Sequence, residues 1–222
     1  MKSNRTLPSY LPALLWLAAA VAWAVLVNAG WLVVFDEAGL ALFRNDQNPE
    51  RLIGSAMLTT ATKGVTHAGS GPFVLLLSAS LVVLTWRRAG RAGALKLGAL
   101  IAVYLLLIPL LKELIGRPRP DWPMPLVETS SPSFPSGHAA RAALIYVLAA
   151  FVLPMLTSAR RALTLALCAA LLLAVGVSRV VLGVHWPSDV IGSWLLAGFW
   201  LRATWPLLRA DLKPDKPQSG RP

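Results

Sequence analysis

Long apolar stretches separated by short polar ones dominate the order of residues. The first runs from about Leu11 to Phe35 and opens LPALLWLAAAVAWAVLV. Others occupy about Gly71 to Trp86, Ala94 to Leu111, Ala139 to Thr157, Ala162 to Val177 and Val190 to Leu208. Hydrocarbon offers no partner to a bare backbone, so a chain crosses a bilayer as helices of roughly 17 to 25 mostly apolar residues. The pattern therefore predicts an all-α membrane bundle of six transmembrane helices over residues 1–210. The second and third spans are short, and Lys96 has to snorkel. The first is too long for a signal-peptide core and lacks a convincing cleavage site, so it is expected to be retained. Residues 211–222 read as a polar, proline-containing, disordered cytoplasmic tail.

Composition supports this class. Hydrophobic residues make up 56% and charged residues only 14% of the 222 positions, more apolar surface than a soluble domain of this length can hide. The formal charge of +11 would suit a nucleic acid or an acidic lipid, but its distribution decides otherwise. With six spans, one side collects Lys2, Arg5, Arg87, Arg88, Arg91, Lys96, Arg160, Arg161, Arg202, Arg209, Lys213, Lys216 and Arg221, against only Asp211 and Asp215. The opposite side is balanced. This is the positive-inside pattern of a bacterial cytoplasmic membrane protein, and it turns both termini inward. The segments 36–70, 112–138 and 178–189 then face outward, and nucleic-acid binding is excluded. The single cysteine, Cys168, lies within a span and supports neither a disulfide framework nor a thiolate metal site.

The outward segments carry the chemistry. Residues 36–70 are expected to form an interfacial amphipathic helix, either a lid or a connector, with His67 an ordinary interfacial histidine. In KELIGRPRP, Lys112 and Arg119 are two helical turns apart, but Pro118 and Pro120 oppose a helix through the end. In SFPSGHAA, Ser136 is placed to cap the fourth span, Gly137 lets the backbone approach an anion, and His138 follows. In SRVVLGVHWPSD, Asp189 lies four residues after His185, near enough to accept a bond from Nδ1 and leave Nε2 free. Each cluster alone has a structural explanation as a snorkelling anchor, a helix cap or an interfacial pair. Together they supply three cations, two histidines, a carboxylate and a helix end to one face.

That set suits phosphoryl transfer, in which catalysis consists of clamping the non-bridging oxygens and aligning nucleophile with leaving group. His185, supported by Asp189, is the expected nucleophile, and His138 the expected acid. Lys112, Arg119 and Arg179 fill the place of a divalent cation, so no metal or other cofactor is expected.

The three clusters resemble the signature of the type 2 phosphatidic acid phosphatase superfamily: Lys-x6-Arg-Pro, then Pro-Ser-Gly-His, then Ser-Arg-x5-His-x3-Asp. Lys112, Arg119 and Pro120 match the first part. Pro135, Ser136, Gly137 and His138 match the second, and Ser178, Arg179, His185 and Asp189 the third. The resemblance implies a metal-independent phosphohistidine mechanism. His185 would take the phosphoryl group, Asp189 would orient it, and His138 would protonate the leaving group and later activate water. Lys112, Arg119, Ser136, Gly137 and Arg179 would hold the phosphate. Arg117 and Arg141 are extra cations, read as structural in preference to contacts for a second phosphate.

The expected substrate is a lipid phosphate or diphosphate at the outer face. An outward site favours undecaprenyl diphosphate over phosphatidylglycerophosphate, phosphatidate or lipid A. A lipid-to-lipid phosphotransferase and a non-enzymatic anionic-lipid transporter would use the same cations.

Overall fold

The computed structural model describes residues 10–45, 52–53, 56–121, 125–157 and 160–212. It is all-helical, with no strand among the described residues beyond an isolated bridge between Arg44 and Leu52. The first apolar stretch is not one helix to Phe35. Helix α1 (Leu11–Asn28) ends at a turn in which Gly30 takes φ 75, and α2 (Val33–Ala41) follows. Glycine occupies that left-handed region without the clash a Cβ would bring, which is why the helix stops there. Asp36 consequently sits in the first turn of α2, fully buried, and does not open a loop.

Helix α3 (Ala56–Thr66) leads through a single 3-10 turn, His67–Gly69, into α4 (Gly71–Ile115). His67 is exposed on that turn. Of the segment expected to be a lid or a connector, residues 46–51 and 54–55 lie outside the described residues. Within α4, Gly90 has φ 83 and ψ 175, a conformation that belongs to glycine. A Cβ on Gly98 would stand 3.7 Å from Val82 Cγ2, and one on Gly93 3.5 Å from Thr85 Cγ2. Straight helix would put Val82 and Gly98 roughly 24 Å apart. The chain therefore reverses at Gly90, and the two arms lie side by side as the second and third apolar stretches. Their connection is one non-helical residue, much tighter than the gap from 87 to 93 left between the two expected spans.

Helices α5 (Gly137–Leu156), α6 (Arg161–Val181) and α7 (Pro187–Arg209) complete the bundle. Helix α5 is its centre: Ala139, Ala142, Leu144, Ile145, Leu148 and Val152 are buried, and the helix packs on α4, α6 and α7. Leu97, Ile101, Tyr104 and Ile108 of the second α4 arm join the same core. Helix α1 packs on α7, where a Cβ on Gly198 would come within 2.5 Å of the Trp16 ring. Glycine there lets the indole seat directly on the helix backbone.

Leu14, Leu15, Leu75, Leu76, Leu106, Leu114, Leu163 and Leu167 all point outward. Apolar exposure on this scale is sustained by lipid, not water. Among the described residues, α1, α4, α5 and α6 are long and apolar enough to cross a membrane. The 23-residue α7 has the length, but its inner face carries Ser188, Asp189 and Ser193, which lower its hydropathy. At the far end of the bundle Lys96 donates to Asp211 at 2.7 Å, and Leu212 is fully buried. These two residues of the expected tail are thus tied to the bundle, and residues 213–222 lie outside the described ones.

Candidate active site

The second α4 arm stops because Gly116 adopts a left-handed conformation, φ 62, and returns its N–H to Lys112 O at 2.9 Å. Lys112 is thereby left on the last helical turn and Arg119 on the loop beyond it, so the two do not share a helical face. They converge instead on the 131–133 segment. Lys112 Nζ donates to the carbonyls of Pro132 and Ser133. Arg119 Nε donates to Ser131 O at 2.6 Å, and Nη1 to Val184 O at 2.5 Å.

That last contact brings Arg119 to the turn between α6 and α7, which holds His185. Helix α7 begins at Pro187, where a missing N–H costs nothing, and Asp189 lies in its first turn. Asp189 Oδ2 accepts the Trp186 N–H at 3.0 Å and faces His185 Nδ1 at 3.2 Å. Both residues are almost wholly buried. With Nδ1–H given to the carboxylate, the lone pair lies on Nε2, and Arg119 Nη1 stands 3.2 Å from it.

Burial first, then the charges of Arg119, Arg179 and Lys112, push the His185 pKa well below the ordinary histidine range. The imidazole is therefore neutral at neutral pH. Any acid limb of kcat/KM that reports His185 in the free enzyme should lie well below about pH 6.5, and a limb at that value would contradict this electrostatic reading. The sign for stability follows. As pH falls through about 6.5, the unfolded chain takes up a proton that the native site refuses, so native stability declines toward acid pH.

The other histidine enters from α5. Ser136 is its N-cap residue, yet its side chain makes no capping bond, and the buried Oγ has no partner in the structure. A buried hydroxyl without a partner is uncommon and fits a group kept for an acceptor from outside the chain. Gly137 makes room: a Cβ there would lie 3.2 Å from Arg141 Nη1. Arg141 folds back over this turn, donating from Nε to Gly69 O at 3.1 Å and bringing Nη2 within 3.4 Å of His138 Nδ1. His138 thus has a partner that its motif alone does not reveal. In the neutral ring this contact leaves the proton on Nε2. Arg179, nearly buried, donates from Nη1 to Thr66 Oγ1 at 2.6 Å, while its Nε has no partner. Ser178 Oγ bonds Val175 O within its own helix at 2.6 Å.

The structure thus brings Lys112, Arg119, Ser136, Gly137, His138, Arg179, His185 and Asp189 to one end of the bundle. It also adds groups. Arg117 Nη1 donates to Asp189 Oδ1 at 2.6 Å and to Ser188 Oγ at 2.8 Å, and Nη2 donates to Asp36 Oδ2 at 2.7 Å. Asp36 stands beside Glu37 in the otherwise apolar run VVFDEAGLA, and an acid in such a run signals a buried partner without showing which of the two has it. Thr66 left no such signal. Among the described residues no three His, Cys, Asp or Glu side chains come together.

The PAP2 superfamily model matches residues 93–212. The chain belongs to that superfamily. The crystal structure of a transmembrane PAP2-type phosphatidylglycerolphosphate phosphatase from Bacillus subtilis superposes with a TM-score of 0.76 at 30% identity, covering 90% of this chain and 96% of that one. Phosphatidylglycerophosphatase B of Bacillus subtilis is 37% identical over 150 residues, 65% of this chain and 72% of the relative. Decaprenylphosphoryl-5-phosphoribose phosphatase of Mycobacterium tuberculosis is 36% identical over 141 residues, 60% of this chain and 71% of the relative. Undecaprenyl-diphosphatase of Sulfolobus acidocaldarius is 45% identical over 69 residues, 31% of this chain and 30% of the relative. The protein is accordingly a membrane-bound PAP2 lipid phosphatase, an enzyme and not a passive lipid carrier.

Proposed function

We propose that this enzyme hydrolyses a lipid phosphate at the outer face of the cytoplasmic membrane, through a phosphohistidine on His185 and without a metal ion. The observation that carries the reading is a buried His185 whose Nδ1 faces Asp189 and whose Nε2 meets Arg119. A phosphate oxygen draws Arg119 away from Nε2, and the freed lone pair attacks phosphorus. The P–O bond to the lipid breaks as the P–N bond forms. The anionic phosphate draws Arg141 off Nδ1 of His138, the ring takes up a proton there, and its Nε2 proton passes to the departing lipid oxygen. The ring then takes a proton from water, whose oxygen attacks phosphorus, breaks the P–N bond and releases phosphate. Lys112, Arg119, Arg179, the Ser136 hydroxyl and the backbone at Gly137 hold the non-bridging oxygens.

The concentration of basic residues at the other end of the bundle supports six spans with both termini inward, an orientation that turns this end outward. Phosphatidylglycerophosphate is the favoured substrate: the relatives matched over 60% or more of this chain are a phosphatidylglycerophosphatase and a decaprenylphosphoryl-5-phosphoribose phosphatase, and Arg117 and Arg141 are already bonded within the protein. Undecaprenyl diphosphate, favoured by sequence topology, is the second reading, supported by the 69-residue match to an undecaprenyl-diphosphatase. Phosphate release from purified protein in detergent, given phosphatidylglycerophosphate, phosphatidate, lipid A and polyprenyl diphosphate in parallel, separates them. The first is expected to show the highest kcat/KM, and a higher value for the diphosphate would establish the second reading. A chelator should leave the rate within about twofold, whereas a large loss restored by a divalent ion would refute the metal-free mechanism. Label passing from donor to another lipid, instead of appearing as free phosphate, would identify a phosphotransferase.

A further inference from the structure

Arg117 lies outside the family signature and beside the reacting groups. It joins two buried carboxylates from opposite ends of the sequence, Asp189 on α7 and Asp36 on α2, at 2.6 and 2.7 Å. Asp36 is fixed in turn: its Oδ1 accepts the Ser188 N–H at 2.8 Å and its Oδ2 the Ser188 hydroxyl at 2.6 Å. The guanidinium also lies 5.5 Å from the centre of the Trp186 ring. Every contact meets either the first turn of α7 or its support.

We propose that Arg117, held by Asp36, is a positioning residue for the phosphoryl-transfer step, aligning Asp189 and balancing its charge so that His185 is oriented yet remains a neutral nucleophile. The two oxygens of Asp189 divide the work. Oδ1 is taken by Arg117, which leaves Oδ2 to Trp186 N–H and His185 Nδ1. An unbalanced buried carboxylate beside an imidazole would favour imidazolium, which has no lone pair to attack with. A carboxylate shared with a guanidinium still accepts the Nδ1–H but attracts the second proton less. The other charged or titratable groups around His185 are Arg119, Arg179, Lys112 and His138, of which the three cations oppose its protonation. Asp36 supplies the second carboxylate that the arginine fork needs, so a helix near the N-terminus steadies catalytic geometry built by α4 and α7.

This inference rests on His185 as nucleophile. The test is the kinetics of purified Arg117→Ala and Arg117→Lys on phosphatidylglycerophosphate micelles, each with a pH profile. Arg117→Ala is expected to lose kcat by at least ~30-fold with KM within ~3-fold, to shift the acid limb of kcat/KM upward in pH, and to regain activity with added guanidinium. Arg117→Lys keeps a charge and the fold but cannot fork to both carboxylates. It should fall between wild type and alanine in kcat and limb position, which keeps the proposal testable if the alanine variant does not fold. A raised KM with unchanged kcat would make Arg117 a substrate contact and overturn the proposal. So would a fall in kcat with an unmoved acid limb and no guanidinium rescue. Turnover by His185→Ala would instead defeat the nucleophile reading itself, a separate outcome.

Discussion

Replacing His185 with alanine is expected to lower phosphate release by at least ~10⁴-fold while leaving the protein folded in detergent. The size follows from the role: a nucleophile that forms the covalent intermediate has no substitute among its neighbours, and such losses run to several orders of magnitude. His138 is the other imidazole of the site, but Arg141 lies at its Nδ1 and among the described residues no carboxylate orients it. Folding should survive because the partner left behind is not orphaned. Asp189 keeps the Trp186 N–H and the Arg117 guanidinium after the ring is gone. Thermal unfolding within a few degrees of wild type, alongside lost turnover, would assign the defect to chemistry. Retention of more than about a tenth of the wild-type kcat would remove His185 from the mechanism.

Asp189→Asn should lose roughly 10³-fold in kcat, close in kind to the loss when a carboxylate that fixes a histidine tautomer becomes an amide. The change is nearly isosteric, so packing is preserved. The acceptor pattern is not: an amide has one oxygen to serve Arg117, Trp186 N–H and His185 Nδ1, which now share two. If the amide N–H faces Nδ1, that nitrogen must accept, the proton moves to Nε2, and the attacking lone pair is lost. Stability should fall as well, since removing one partner of a buried ion pair costs up to about 3–5 kcal/mol. Arg117 retains Asp36, so the loss should sit below that upper figure. A kcat within tenfold of wild type, together with lower thermal stability, would reduce Asp189 to a helix cap.

The chemistry was more legible than the architecture that delivers it. Lys112, Arg119, His138, His185 and Asp189 stand out because the proposed phosphoryl transfer needs those side chains at set spacings, and spacing is what a sequence records. The division of the first apolar stretch at Gly30 was hidden by apolar residues on both sides, which satisfy a membrane-length pattern whether or not the helix is continuous. The reversal at Gly90 falls between the second and third apolar stretches, where the pattern leaves room for it, but its tightness depends on one φ value that only glycine tolerates. Ser136 illustrates the opposite error. A serine before a helix reads as a cap, yet here the hydroxyl has no partner among the described residues. Arg117 and Asp36 were opaque for a physical reason: ion pairs between residues 81 positions apart have no local signature. An acid inside an apolar helix announces that a partner exists without saying which.

The most direct test of the account is rapid-quench analysis of purified enzyme mixed with phosphate-labelled lipid, followed by mapping of the labelled peptide. The account predicts a transient label, lost in acid but stable in alkali as a phosphoramidate should be, on the peptide containing His185 and absent from His185→Ala. Full turnover with no such label on His185, or with the label on another residue, would contradict it.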